Sequence, residues 1–368
     1  MEAPLFASHL GYGRWIGIQY ALELCPICQS FDSLIFEPDG TSSCSGCETK
    51  NEPIASFKQR LMQSSITGAQ LAEQINLEKA PDGLIVVSEY RREIKPTRIG
   101  TGFKKLDMML GGLGDSGLTV LTGKRGEGKS TWSSNMVLNA IQDGHNVCFY
   151  SGELSASTFQ AWMFAQAAGD NNMDTVYDPF GNEDFIVSEY AESRIRAWLK
   201  KKLILYDNSL SKHSERNAIL ERFKQARRVY GCDLFVVDNL MTAKYTVEDE
   251  RNYWRAQSNF AGELKDFAQE NLCHVILVAH PKKGDSGDIN DDVSGSSDIT
   301  NRADNVIQVK KLDEKGKIEY GADSLITVSK NRDYGRVGKI RYNFCPASRR
   351  FVEVDSSNIT KYGWEDLC

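Results

Sequence analysis

The chain has 368 residues, of which 41% are hydrophobic and 26% are charged, a balance that is ordinary for a globular protein with a sizeable core. It contains no run of eighteen apolar residues and no basic start followed by an apolar stretch, so we expect neither a transmembrane helix nor a signal peptide. The net charge of −6 argues against a uniformly basic nucleic-acid coat, although a local basic channel remains compatible with it.

Four of the nine cysteines form two close pairs near the N-terminus. Fifteen residues separate Cys25 and Cys28 from Cys44 and Cys47, and this C-x₂-C-x₁₅-C-x₂-C spacing is typical of four thiolates that bind zinc. We predict a zinc ribbon over residues 1–50, whose role is open between nucleic-acid binding, protein binding and stabilisation of the chain end. The other cysteines show no disulfide spacing and are Cys148, Cys232, Cys273, Cys345 and Cys368.

Residues 51–96 are predicted to form a linker that contains an amphipathic helix. Ile54, Phe57 and Leu61 lie at helical spacing in the segment NEPIASFKQRLMQ. Two interpretations are equally compatible with this pattern. The helix packs on its own domain, or it docks on a neighbouring subunit.

Residues 97–368 show the pattern of an α/β domain. Short apolar runs alternate with helical stretches, which predicts a parallel sheet covered by helices on both faces. These runs are LTVLT (118–122), NVCFYS (146–151), KLILYD (202–207), DLFVVD (233–238) and HVILVA (274–279). Beyond residue 305 the spacing shortens, and we expect the segments NVIQVKK, LITVSKN, KIRYNF and RRFVEV to extend the sheet with antiparallel strands.

The segment GKRGEGKS (123–130) fits the phosphate-binding pattern G-x-x-x-x-G-K-[ST]. It follows a predicted strand and opens a predicted helix, the context in which backbone amides and the helix N-terminus bind phosphates. Lys129 can reach the β- and γ-phosphates of ATP, and the Ser130 hydroxyl can bind Mg²⁺. The residues expected to hold the nucleotide and its magnesium are Gly123, Gly126, Gly128, Lys129, Ser130, Thr131 and Asp238.

Hydrolysis needs further groups beside the phosphate loop. Asp238 ends an apolar strand, where its carboxylate can bind the magnesium shell or merely cap the next loop. Glu153 follows the strand after the phosphate-loop helix and can polarise the attacking water, or it is a solvated residue that opens a helix. His280 ends the run HVILVA and can contact the γ-phosphate, or it is a structural histidine.

These motifs together resemble the hexameric replicative helicases of superfamily 4, the DnaB, Twinkle and phage primase-helicase group, over residues 97–355. The quoted matches are RIGTGFKKLDMMLGGL before the phosphate loop, then SGE, VVDNLM, VAHPKK and KNRDYG. The resemblance implies a RecA-like core, ATP hydrolysis with Mg²⁺, a homo-oligomeric ring, a hexamer in this family, and translocation on single-stranded DNA in replication. It also implies a primase or polymerase partner. Because the sequence predicts neither a signal peptide nor a transmembrane helix, we expect a cytoplasmic location in a bacterial or phage-infected cell, or an organelle matrix.

The resemblance also implies roles for single residues. Glu153 matches the catalytic glutamate and His280 the sensor position, while Lys330 and Arg332 match a finger that reaches the γ-phosphate bound by the neighbouring subunit. The DNA-side residues that it implies are Lys283, Ser294, Gly295 and Ser296.

The region before the ATPase domain departs from this family, because it resembles neither the DnaB helical domain nor a phage primase domain. Two alternatives therefore remain. A RadA-like recombination and branch-migration ATPase shares the four-cysteine finger, and a KaiC-like regulatory ATPase shares the core.

Overall fold

The chain separates into two units, residues 1–94 and 95–368, each with its own hydrophobic core. The structure is a computed structural model, and it describes residues 13–16, 18–28, 30–63, 98–207, 216–242, 253–281, 297–355 and 360–366. Among the helices in these ranges, none combines the length and the apolar character needed to cross a bilayer.

The first unit is an antiparallel sheet of five strands in sequential order, followed by one helix. Phe57 and Leu61 of the helix are buried against Leu34 and Phe36 of the sheet, and the rings of Phe36 and Phe57 meet edge to face. The helix thus packs on its own unit. The last strand runs to Pro53, so the domain boundary predicted at residue 50 falls inside this sheet. The elements are β1 (Gly13–Ile16), β2 (Gln19–Leu24), β3 (Phe31–Phe36), β4 (Thr41–Cys44), β5 (Thr49–Pro53) and α1 (Ile54–Gln63).

The second unit is built on a nine-stranded sheet. In spatial order its strands are β12 (Leu203–Asp207), β9 (Val147–Ser151), β13 (Leu234–Asp238), β14 (His274–Val278), β8 (Gly117–Thr122), β15 (Asn305–Lys311), β16 (Ser324–Asn331), β17 (Gly338–Cys345) and β18 (Arg350–Glu353). The first six strands of this order are mutually parallel, and the last three extend the sheet with antiparallel pairs. The parallel sheet and its antiparallel extension predicted from the sequence are confirmed. The other strands of this unit within the described residues are β6 (Arg98–Ile99), β7 (Leu113–Gly114), β10 (Met173–Tyr177) and β11 (Glu183–Val187).

Helices cover the central strands on both faces. Every residue of β8, β9, β13 and β14 is buried, which explains why these strands read as continuous apolar runs. Along β13, Leu234 and Val236 face one core while Phe235 and Val237 face the other. The helices are α2 (Lys104–Leu110), α3 (Lys129–Gln142), α4 (Ala156–Ala168), α5 (Glu189–Leu199), α6 (Arg216–Tyr230), α7 (Tyr253–Glu270), α8 (Ser297–Arg302) and α9 (Glu314–Tyr320).

A β-hairpin, β10–β11, lies between α4 and α5, where the sequence pattern predicted only helix. Its turn is ordered by Asp178, whose carboxylate accepts the backbone N–H groups of Phe180 and Asn182, each at 2.8 Å. Such a side-chain-to-backbone turn competes with helix formation and carries no apolar periodicity. The hairpin could therefore not be predicted from hydrophobic spacing alone.

Candidate nucleotide site and cysteine cluster

The phosphate loop connects the carboxyl end of β8 to the first turn of α3. All three of its glycines have positive φ angles, between 81° and 147°. A Cβ atom on Gly123 would approach the carbonyl oxygen of Val309 to 2.3 Å, and one on Gly128 would lie 3.0 Å from the Phe351 ring. The loop therefore takes this path only with glycine at these positions.

Lys129 is buried inside the loop, with 6% of the residue exposed. Its ammonium group donates to the carbonyl oxygens of Gly123 at 2.7 Å and Lys124 at 2.9 Å. Burial lowers the pKa of Lys129, and the nearby carboxylates, Asp238 first, act in the opposite direction. The loop thus joins a buried cation to the amino end of a helix, two features that attract phosphate groups.

The two residues predicted to bind magnesium are brought together. Asp238 lies at the end of β13 with 4% of the residue exposed, and the hydroxyl of Ser130 donates to its carboxylate. Burial raises the pKa of Asp238 to about 6, while this hydrogen bond acts against the increase. A carboxylate beside a hydroxyl oxygen is a donor set that suits Mg²⁺. Thr131 lies in the same first turn of α3, where its carbonyl oxygen accepts from Gln166 at 2.8 Å.

Asn239 joins Glu153 to His280, and we did not predict this residue from the sequence. Its side-chain amide donates to Glu153 Oε1 at 2.6 Å and to His280 Nε2 at 3.2 Å. Glu153 Oε1 also lies 3.8 Å from His280 Nε2. Burial, and next the charge of Lys129, lower the pKa of His280, which keeps the ring neutral and able to accept at Nε2. The available signal was a polar residue directly after Asp238 at the end of a buried strand.

Lys330 and Arg332 lie toward the amino ends of the parallel strands, whereas the phosphate loop follows the carboxyl end of β8. In register, Asn331 pairs with Asn305, and Asn305 pairs with Thr119 near the start of β8. Because the loop follows the other end of β8, about four residues or 13 Å of strand separate the two regions. One chain therefore does not bring these cations to its own Lys129. The predicted DNA-side residues Lys283, Ser294, Gly295 and Ser296 lie outside the described residues.

The four paired cysteines converge in the first unit. Their Sγ atoms all lie within 4.8 Å of one another, and the Cys25–Cys47 and Cys28–Cys44 distances are both 3.7 Å. Four thiolates arranged tetrahedrally around zinc at about 2.3 Å would be about 3.8 Å apart, so the cluster fits this metal. The cysteines of the second unit that lie on apolar strands or beside them, Cys148, Cys232 and Cys273, are buried as free thiols.

The sheet order and the glycine-rich loop after β8 define a RecA-like P-loop domain. A family model described as DnaB-like helicase C terminal domain matches residues 98–353, which is most of the second unit. The chain belongs to this family, and its resemblance to the superfamily 4 helicases is confirmed.

Three known proteins illustrate the relationship. The chain is 24% identical over 289 residues to the replicative DNA helicase DnaB of Helicobacter pylori, covering 73% of this chain and 58% of that protein. It is 25% identical over 281 residues to a chloroplastic/mitochondrial Twinkle homolog of Arabidopsis thaliana, covering 71% and 37%. The structure of a DnaB-like replicative helicase and its interactions with primase shares the fold, with a TM-score of 0.56 and 18% identity over 82% of this chain and 71% of that chain. The chain thus spans little more than half of the first relative and about a third of the second.

The buried carboxylate of Asp238 should destabilise the nucleotide-free protein at neutral pH. Its folded-state pKa of about 6 exceeds the ordinary value, so stability present below about pH 4 is lost as the pH rises through 6. In buffer without divalent metal ions, we expect Asp238→Asn to raise the free energy of unfolding by about 3 kcal/mol at pH 7.5 and by little at pH 4. Thermal and denaturant unfolding would measure both, with exposed Asp174→Asn as the control. A lower free energy of unfolding for Asp238→Asn than for the wild type at pH 7.5 would contradict the raised pKa of Asp238.

Proposed function

We propose that the chain is an ATP-dependent DNA helicase that forms a ring, translocates on single-stranded DNA and acts in DNA replication. The observation that carries this proposal is that the candidate site is divided between the two ends of the strands in one DnaB-like sheet. Lys129, Asp238 and Glu153 lie at the carboxyl ends of the parallel strands, while Lys330 and Arg332 lie toward their amino ends. A neighbouring copy would have to supply the second half.

The residues at the carboxyl ends of the strands have the chemistry for ATP hydrolysis. Ser130 and Asp238 would hold Mg²⁺ on the phosphates, and Lys129 would balance their charge. Glu153 would orient the attacking water, with its carboxylate held in place by the Asn239 amide. His280, bonded to the same amide, would respond to the γ-phosphate through Asn239.

The residues toward the amino ends of the strands would complete the site of the next subunit. An arginine supplied by a neighbour stabilises the charge that develops in phosphoryl transfer, by a factor of about 10³–10⁵ in kcat. This arrangement makes hydrolysis depend on assembly. Since family members form rings, we propose a homo-oligomer, a hexamer by analogy, with ATP between the subunits.

DNA would pass through the centre of this ring. The net charge of −6 is compatible with an acidic exterior around a basic channel. We assign DNA contacts to Lys283, Ser294, Gly295 and Ser296 from family resemblance alone. A primase or polymerase is the further partner that a replicative role implies, in a cytoplasm or organelle matrix that contains the replicating DNA.

We also propose that the cysteine cluster binds one structural zinc ion. Support comes from the 3.7 Å Sγ–Sγ distances and from the small core of the first unit, in which Cys25 and Cys44 are buried and Cys28 and Cys47 pack against them. Such a small module obtains much of its folding free energy from the metal.

Single-stranded DNA should stimulate the ATPase activity of a helicase motor many-fold, and a forked duplex should be unwound with ATP. Lys129→Ala should abolish both activities because the phosphate cation is lost, while exposed Lys339→Ala should leave them unchanged. Phosphate release and strand displacement measure the two activities. An ATPase rate that does not change with DNA concentration would exclude a DNA motor and favour a regulatory ATPase.

The trans finger can be tested by mixing inactive subunits. Arg332→Ala should lower kcat by about 10³ or more while ATP binding persists. Mixing it with Glu153→Gln subunits should restore activity, because an intact site of one chain then meets an intact finger of the other. A mixture of Lys129→Ala and Glu153→Gln is the matched control, since every phosphate site in it is defective. If mass analysis shows mixed rings and no ratio restores activity, the finger assignment fails.

The purified protein should contain one zinc ion per chain by elemental analysis. Cys25→Ser should lose the metal and increase hydrogen exchange throughout β2–β4, because the thiolates hold this unit together. Cys345→Ser, which changes a free thiol of the second unit, should keep the zinc ion. Full zinc content in Cys25→Ser would show that the metal is bound elsewhere.

A further inference from the structure

Asp304 lies at the centre of the contacts that hold Arg332. This residue connects α8 to β15, and 16% of its side chain is exposed. Its Oδ1 atom lies 3.3 Å from a guanidinium nitrogen of Arg332, and its backbone carbonyl accepts the Arg332 N–H at 2.8 Å. Both the main chain and the side chain of Arg332 are therefore bonded to this one residue.

The same carboxylate is bonded to the strand that carries the phosphate loop. Oδ2 of Asp304 accepts the backbone N–H of Leu118 in β8 at 2.8 Å, and the Asp304 N–H donates to the Leu118 carbonyl at 2.8 Å. Lys265 of α7 donates to the same Oδ2 atom at 2.5 Å and to the Ser116 carbonyl at 2.8 Å. These contacts leave the carboxylate little freedom to move.

Electrostatics adds a second reason for a carboxylate at this position. Lys330 donates to the carbonyl oxygens of Thr300 and Asn301 at the end of α8, and Arg332 donates to the same Asn301 oxygen at 2.9 Å. Burial, and then the charge of Arg332, lower the pKa of Lys330, whereas Asp304 acts in the opposite direction. Without the carboxylate, neighbouring cations would repel one another around these carbonyls.

We propose that Asp304 is the positioning residue of the trans finger: it fixes the guanidinium of Arg332 for the neighbour's phosphate and anchors it to the strand that carries its own chain's phosphate loop. The inference rests on the trans role proposed for Arg332. Among the described residues, Nη1 and Nη2 each donate one bond, and half of the side chain is exposed, so within this part of the chain other N–H donors are available to an incoming phosphate. A finger held in advance has less conformational entropy to lose in the transition state.

Asp304→Asn removes the charge and keeps an oxygen that can accept the Leu118 N–H. We expect kcat for ATP to fall by about one to two orders of magnitude, since small misplacements of a catalytic group cost this much, while KM changes by less than about twofold. Asp323→Asn is the matched control, because Asp323 accepts a backbone N–H from Phe344 at 2.9 Å and joins no ion pair among the described residues. An unchanged kcat in Asp304→Asn would overturn the proposal.

Mixing experiments separate positioning from a structural role. If Asp304 acts through the finger, Glu153→Gln subunits should rescue Asp304→Asn subunits, because the intact finger of the former meets the intact site of the latter. If Asp304 only supports its own phosphate loop through Leu118, the defect stays in cis and no rescue occurs. Rescue of Arg332→Ala without rescue of Asp304→Asn would reject this inference alone, whereas failure of both would reject the trans finger itself.

A double variant and a second substitution complete the test. Asp304→Asn should add no further loss of kcat in an Arg332→Ala background, and an additive loss would show that the aspartate acts elsewhere. Should Asp304→Asn fail to fold, Arg332→Lys remains available, because lysine keeps the charge but not the fork that reaches Asp304 and Asn301 together. We expect a reduced kcat that Glu153→Gln subunits rescue. A wild-type kcat in Arg332→Lys would overturn the proposal that the orientation of the Arg332 guanidinium matters for hydrolysis.

Discussion

The buried strand β8 is the constraint on which the rest of the second unit depends. It is paired on both sides, with β14 and β15, and all six of its residues are buried. A strand bonded on both edges and packed on both faces cannot slide without breaking two ladders at once. The phosphate loop after Thr122 and the Asp304 contact at Leu118 are therefore held at a fixed separation.

The charges at the carboxyl end of this strand are arranged for chemistry at some cost in stability. Burial raises the pKa of Asp238 and lowers that of Lys129, so each group is less favourable in its charged form than it would be in water. Buried charges of this kind cost free energy unless they are paired. A bound magnesium nucleotide would supply the opposite charge that each of these groups lacks.

The features that the sequence could predict are those that depend on residues close together in the chain. The loop at 123–130 and the apolar strands depend on residues adjacent in the chain, and they were predictable. The proximity of Ser130 and Asp238 was also predictable, because the phosphate loop and Asp238 both lie at the carboxyl ends of parallel strands. By contrast, Asn239 became visible only when β9, β13 and β14 placed Glu153 and His280 beside it. Asp304 looks like an ordinary residue before a strand until Leu118, Lys265 and Arg332 converge on it.

The position of α1 was undecidable from the sequence for the same reason. Ile54, Phe57 and Leu61 form an apolar stripe that would suit either its own unit or another subunit, because periodicity identifies a face but not its partner. The contact between Phe57 and Phe36 decides in favour of its own sheet. Phe36 precedes Phe57 by 21 positions and lies in a strand that the cysteine pairs enclose.

The separation of the phosphate loop from Arg332 within one chain also restricts how copies can assemble. If the surface that carries Arg332 must face the surface that carries Lys129 in the next copy, two different surfaces meet at each interface. Such a contact is heterologous, and it generates a closed ring or an open filament, whereas a two-fold dimer uses the same surface twice. A two-fold dimer would complete both sites only if one self-complementary surface contained both the phosphate loop and Arg332. In the proposed ring each copy presents its phosphate loop to one neighbour and Arg332 to the other, so every site is completed in the same way.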